Sequence, residues 1–348
     1  MISIHDLETP SVLIDLERMA RNITAMQDYC NQLGLAFRPH IKTHKIPAIA
    51  RLQLEAGAVG IACQKLTEAQ VFVEEGFNDI LIPYNIVGPQ KTARLADMAL
   101  YNRITVSADH PTVIAGLADA AAANDITLRV MVELVTEQAR TGAEPAEALA
   151  LAERIEAEPH LHFAGLLVYP SNPGVRPALQ EALHGLHRAG IGVDAVSGGG
   201  TGAALYAGEV PELTELRVGT YVFNDWTTVS KGWATLDDCA MTVMATVVSR
   251  PTPERAILDS GSKTLAADRF NGEHGFILEY PNARIYQLNE EHAYVDVSAC
   301  DPRPVIGERV QVVPVHTCVV SNLHNVLYGV RGESVEVEWP VAARGLVW

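Results

Sequence analysis

Between residues 35 and 219 short apolar, β-branched runs alternate with stretches of helical periodicity, and this alternation restricts the fold more than any other feature of the chain. The runs are LAFRP (35–39), AVGIAC (58–63), DILIPY (79–84), RITVS (103–107), TLRVMVEL (127–134), FAGLLVY (163–169), VDAVS (193–197) and LTELRVG (213–219). Segments between them, such as TEAQVFVEEG and EPAEALALAERIEAE, place apolar residues at i, i+3 and i+4, and several close on Gly or Asn. Strands that repeat with a helix between them run parallel, and eight such units are what a closed (β/α)8 barrel requires. A doubly wound open sheet is the alternative, but no Gly-x-Gly-x-x-Gly turn follows the first run. After about residue 230 the texture changes: CAMTVMATVVSR, HAYVDVS, ERVQVVPVHTCVV and ESVEVEWPV alternate or run β-branched between Pro, Gly and Asp turns. The sequence therefore predicts an α/β, TIM-like (β/α)8 barrel over residues 11–230. A mainly antiparallel β domain is expected over 231–348, together with residues 1–10.

The chain has 348 residues, enough for a large barrel and a smaller module. Its formal net charge of -16 argues against nucleic-acid and anionic-membrane partners, since both repel a negative surface. No apolar stretch reaches the ~18 residues of a membrane span. The opening MISIHDLETP lacks the basic and apolar regions of a secretory signal, and five scattered cysteines form an odd set. Reduced thiols, a cytoplasmic location and a small-molecule partner are the expectation.

Against that acidic background, RPHIKTHK (38–45) concentrates cations and imidazoles at the end of the first strand, the end of a barrel strand where active sites sit. On an extended chain His40 and Lys42 share one face. Lys45 falls in the following loop or helix. A partly desolvated lysine near other cations has a nucleophilic amine that can form a Schiff base. VSGGGTGAALYAG (196–208) follows the seventh strand, where backbone N–H groups and the hydroxyls of Ser197 and Thr201 can cradle a phosphate, and Gly219 and Thr220 add donors after the eighth. A lysine at strand one and a phosphate site at strands seven and eight suggest pyridoxal phosphate.

TPSVLIDLERMARNI, RPHIKTHK, ELVTEQARTG, VSGGGTG, ELRVGTYVFND, LDSGSKTLAADR and VHTCVVSNLH together resemble the D-threonine aldolase and metal-activated D-serine dehydratase family. That family shares the alanine-racemase-like barrel of fold type III pyridoxal phosphate enzymes, and the resemblance covers nearly the whole chain. It implies Lys42 as the Schiff-base lysine, with Lys45 on a helix. It further implies Arg140 near the cofactor's phenolic oxygen, Thr201, Gly219 and Thr220 at the phosphate, Tyr169 against the cofactor, and Gln64 as a further contact. Arg217 falls where alanine racemases place an arginine, and no role is assigned to it. After strand six the chain reads VYPSNPGVRP, which departs from the Gly-x-x-Gln-His loop of many members.

His316 and Cys318 stand two apart in VVPVHTCVV, a spacing that places them on one side of a strand where they can ligate one ion. The resemblance implies a divalent metal there, completed by water and substrate, with His324 near it. A thiolate with an imidazole suits zinc or another borderline metal, whereas relatives with Asp suit manganese. The implied activity is a pyridoxal phosphate- and metal-dependent lyase on D-3-hydroxy amino acids, cleaving D-threonine-like substrates to glycine and an aldehyde. The alternatives are a D-serine or D-3-hydroxyaspartate dehydratase giving a 2-oxo acid and ammonia, and a non-catalytic pyridoxal phosphate carrier. A homodimer is implied by resemblance alone.

Overall fold

The computed structural model describes residues 2–348 in two compact units. One comprises Met26–Lys42, Ile49–Gly219 and Leu346–Trp348, and the other Thr43–Ala48 and Thr220–Gly345 with the chain up to Ala25.

The first unit is the barrel. Its strands are Ala36–Phe37, Ile61–Ala62, Asp79–Asn85, Arg103–Ala108, Leu128–Leu134, Leu161–Val168, Ala195–Gly199 and Glu215–Arg217, one overlapping each predicted run. All pairings are parallel, and the eighth strand lies between the seventh and the first. The first two strands are short and meet through a bridge between His40 and Ala62, with Ala62 N–H donating to Pro39 O at 2.8 Å, which closes the ring. Helices Pro89–Ala99, Pro111–Ala123 and Pro145–Glu156 each begin with proline, whose fixed φ suits the first turn and whose missing N–H costs nothing there. In Pro111–Ala123 the buried residues Val113, Ile114, Leu117, Ala118 and Ala121 form one stripe toward the sheet. Ala62, Leu81, Met131, Ala164 and Leu167 fill part of the interior.

Inside the same barrel runs a chain of buried charges. Arg38 Nε donates to Glu215 Oε2 at 2.8 Å and its Nη1 to Asp79 Oδ1 at 2.7 Å. Ser197 Oγ donates to the other Glu215 oxygen at 2.5 Å and accepts from Arg217, which also donates to Val168 O. Ser197 is thus committed inside the barrel, and its predicted part in a phosphate cradle is withdrawn.

The second unit holds a ten-stranded, mostly antiparallel sheet. Its spine runs Ser334–Pro340, Val326–Arg331, Ser11–Asp15, Met241–Thr252, Arg255–Leu258, with Arg309–Pro314 also on Met241–Thr252. Ser11–Asp15, which the sequence reading grouped with the barrel, is central here, pairing antiparallel with Met241–Thr252 and parallel with Val326–Arg331. Ile4, Leu13, Met244 and Val330 pack together over it. None of the five cysteines is in a disulfide, and burial pushes Cys30 and Cys239 up to about 12.

Candidate functional site

The barrel unit opens a cavity of about 520 Å³ whose lining includes Lys42, Gln64, Tyr84, Glu133, Arg140 and Thr141. Lys42 does not reach it as part of an extended strand. Past His40 the chain tightens into a 3-10 turn, Ile41–Thr43, so the expected alternation of His40 and Lys42 is lost. Nor is Lys45 on a helix: it has φ 57 in the loop before Pro47–Glu55, is buried, and donates to Asn322 Oδ1 at 2.8 Å. His40 sits behind the wall, with Nε2 3.1 Å from Gln64 Oε1. Burial, then the charges of Lys42 and Arg217, hold its pKa well below the usual imidazole range, so the ring is neutral.

Arg140 and Thr141 are brought to the cavity by a loop that doubles back after the fifth strand. Val135 N–H donates to Ala143 O at 2.9 Å, Ala143 N–H to Glu133 O at 2.8 Å, and Gly142 N–H to Asp109 Oδ2 at 2.9 Å. Gly142 has φ 109, and a Cβ there would lie 2.4 Å from the Leu134 carbonyl carbon, so only glycine allows the return. Thr141 then donates to Glu133 Oε1 at 2.8 Å, and burial raises the pKa of that carboxyl. The Arg140 guanidinium lies 4.9 Å from the centre of the Tyr169 ring. The glycine turn also borders Tyr169: Gly200 has φ 111, and a Cβ on it would stand 3.6 Å from Tyr169 Cε2. Thr201 opens the helix Thr201–Ala204, whose first N–H groups have no acceptor within the helix. The structure thus brings Lys42, Gln64 and Arg140 together, and joins Tyr169 and the Thr201 turn to them through Arg140.

Gly219 follows the eighth strand, and Thr220 starts the 3-10 turn Thr220–Val222 of the other unit. The Thr220 hydroxyl is 3.7 Å from Cys318 Sγ, and the Thr43 hydroxyl 3.2 Å. His316 and Cys318 are not on a strand, as their β-branched neighbours suggested. The strand Arg309–Pro314 has ended; His316 is the N-cap of the helix Thr317–Leu323 and Cys318 its second residue. They are nonetheless neighbours, and the hydrogen bond that the protonated ring donates to Cys318 is the largest cause raising the His316 imidazole to about 9. Asp268 Oδ2 lies 2.6 Å from His316 Nδ1, orienting the ring and leaving Nε2 for another partner. His324 instead faces Thr264 O at 3.2 Å.

The alanine racemase N-terminal domain family matches residues 14–225, and the putative serine dehydratase domain family matches residues 240–330. A D-threonine aldolase of Arthrobacter sp. is 35% identical, over 97% of this chain and 93% of its own. The chain belongs to the D-threonine aldolase and D-serine dehydratase family. Among solved structures of the family, the D-threonine aldolase from Filomicrobium marinum matches with a TM-score of 0.91 at 31% identity, covering 100% of this chain and 98% of that one. The D-threo-3-hydroxyaspartate dehydratase from a Delftia species matches at 0.90 and 25%, covering 100% of both, and a cysteine-to-alanine mutant of it has been solved in a metal-free form. The family's members are fold type III lyases on an alanine-racemase-like barrel, which sets the carrier alternative aside.

The residues of this family member suit the groups its resemblance implies. A lysine, a cation over a tyrosine ring and a glycine turn with Gly200 at positive φ are what a phosphorylated pyridine ring needs. Imidazole and thiol are donors for a borderline divalent ion, and no group of three or more His, Cys, Asp or Glu placed to hold one occurs among the described residues. Sequence reasoning missed Tyr84, Glu133, Thr141, Asp109 and Asp268. The first two lie inside quoted strand runs, where their only signal was a polar residue at the strand's end. Asp268 lay in a motif quoted for its resemblance, LDSGSKTLAADR, with no spacing to tie it to His316.

Proposed function

We propose that the chain is a pyridoxal phosphate- and divalent metal-dependent lyase that cleaves D-3-hydroxy amino acids of the D-threonine type to glycine and an aldehyde. The observation that carries this reading is the cavity shared by Lys42, Gln64 and Arg140, with Tyr169 stacked on Arg140. When bound, pyridoxal phosphate supplies a sink for the electron pair released at Cα, and the metal ion a Lewis acid for the β-hydroxyl. In this reading Lys42 holds the cofactor through its amine. Arg140, its plane fixed by Tyr169 and its loop by Asp109, offers a cation to the phenolic oxygen. Thr201, Gly219 and Thr220 offer N–H groups to the phosphate. Gln64 is kept in place by the neutral ring of His40 and by Glu68, whose carboxylate accepts the Gln64 N–H at 2.5 Å. His316 and Cys318 hold the ion, of the zinc class by their donor types, with Asp268 steering the imidazole. A cytoplasmic homodimer belongs to the same reading.

The thiol ligand favours a second reading, a D-serine or D-3-hydroxyaspartate dehydratase, because the Delftia dehydratase is metal-free in a cysteine mutant. The two differ in whether the α-hydrogen is removed. With D-threonine deuterated at Cα, cleavage is expected to give glycine and acetaldehyde with no primary isotope effect. Formation of 2-oxobutanoate and ammonia with a clear effect makes the chain a dehydratase, and no turnover of D-threonine, D-serine or D-3-hydroxyaspartate overturns the lyase reading altogether.

A further inference from the structure

The loop after the sixth barrel strand, VYPSNPGVRP, departs from the Gly-x-x-Gln-His pattern of many family members, and the function proposed above uses only its Tyr169. Ser171 of this loop is fully buried and turns toward one residue of the next strand. Its N–H donates to Gly199 O at 3.0 Å, its hydroxyl donates to the same carbonyl at 3.3 Å, and the hydroxyl oxygen accepts the Gly199 N–H at 3.0 Å. On the other side, Gly200 N–H donates to Arg217 O at 3.1 Å. A Cβ on Gly198 would lie 2.8 Å from Ser171 Cβ and Oγ, so the serine packs directly on the glycine run. The other arm of the loop reaches the segment that carries Arg140. Thr136 Oγ1 donates to Tyr169 O at 2.7 Å, and Asn172 Nδ2 donates to Glu137 Oε1 at 2.5 Å.

The three successive glycines at 198–200 have no side chains with which to hold a shape, and glycine loses more conformational freedom on ordering than any other residue. Their geometry is therefore imposed from outside, by Ser171 on one side and the Arg217 carbonyl on the other. These two contacts also take up the N–H groups of Gly199 and Gly200, so the donors left for a phosphate begin at Thr201. We infer that residues 169–172 are a brace that sets the position of the turn at 199–201 relative to Arg140, with Ser171 the positioning residue at the phosphate end. The inference rests on the cofactor part of the lyase reading and deepens it. In that reading Arg140 meets the ring of pyridoxal phosphate and the turn meets its phosphate, so a brace tied to both segments sets the spacing that the cofactor must match. Ser171 acts on the cofactor only through Gly199.

The test titrates the full chain, freed of cofactor, with 4-deoxypyridoxine 5'-phosphate and with 4-deoxypyridoxine, two rings that cannot react with Lys42 and that differ only in the phosphate. Ser171→Ala leaves the Gly199 N–H without its acceptor and is expected to weaken binding of the phosphate ester about 10-fold, while the unphosphorylated ring changes by less than about 2-fold. Ser171→Cys keeps nearly the same volume with a weaker acceptor, and an intermediate loss confined to the phosphate ester is expected of it. Thr136→Val, at the ring end of the brace, is expected to weaken both ligands equally, by about 3-fold. A serine that served folding alone would lower both affinities together or neither. Either result in the Ser171 variants overturns the brace, as does a wild type that binds the two ligands equally. Binding is read without turnover, so a protein that shows the expected pattern yet converts none of the hydroxy amino acids loses the lyase reading and keeps the brace.

Discussion

In the barrel unit the charges deepest in the structure are already satisfied by protein: Arg38 bridges Asp79 and Glu215, and Ser197 links Glu215 to Arg217. In the other unit His316 and Cys318 stand at a helix cap, the His316 side chain 43% exposed, with one carboxylate and two hydroxyls around them. The first arrangement is rigid because several strands share one buried network, and breaking any member strands a charge. The second is two donors held in reach of each other at the start of a short helix, outside any such network. The difference teaches where each kind of damage will appear: in folding for the barrel network, in loading for the donor pair.

The largest expected effect is at the cavity lysine. Lys42→Ala should fold, yet lose activity by about 1,000-fold or more and lose the lysine–pyridoxyl adduct found by mass spectrometry after borohydride treatment. If the adduct persists in Lys42→Ala and maps to Lys45, the cavity has been assigned to the wrong lysine. Next, Arg38→Met should leave the buried Glu215 without its ion-pair partner and lower stability by about 3–5 kcal/mol in urea titrations, because that carboxylate stays desolvated, whereas the less buried Asp79 keeps Arg103. Arg176→Met, which breaks the more exposed pair with Glu212, should cost less than about 1 kcal/mol. Equal costs would erase the contrast between a buried network and ordinary surface pairing. At the donor pair, Asp268→Asn should weaken zinc affinity by about 10- to 100-fold in competition with a chelator while the melting temperature of the metal-free protein stays within a degree or two. A loss of folding instead would show that the Asp268–His316 bond is structural.

The barrel was legible because strands buried on both faces read as unbroken apolar runs, and helices packed on one face read as a stripe, so both signals survive in a single sequence. The cavity lysine was legible for the same reason, since RPHIKTHK could be placed at a strand's end before its chemistry was considered. What failed was local geometry. VVPVHTCVV looks like strand throughout, but the chain turns after Pro314, and a seven-residue helix forms despite the β-branched Thr317, Val319 and Val320, burying Thr317, Val320 and Ser321. Lys45 adopts a left-handed turn that nothing in its neighbours announces. Glu133 and Tyr84 meet only when strands three and five curve into one ring, a relation with no counterpart in linear spacing.

The strand Ser11–Asp15 carries a consequence for how this chain must be made. Val12 pairs with Val243 and Leu13 with Tyr328, so the centre of the antiparallel sheet joins a segment made before the barrel with strands made after it. Until those late strands arrive, an apolar pentapeptide has both edges bare, and closing so long a loop is slow. A nascent or truncated chain ending near residue 230 is therefore expected to be a client for chaperones, with Ser11–Asp15 as the segment they shield.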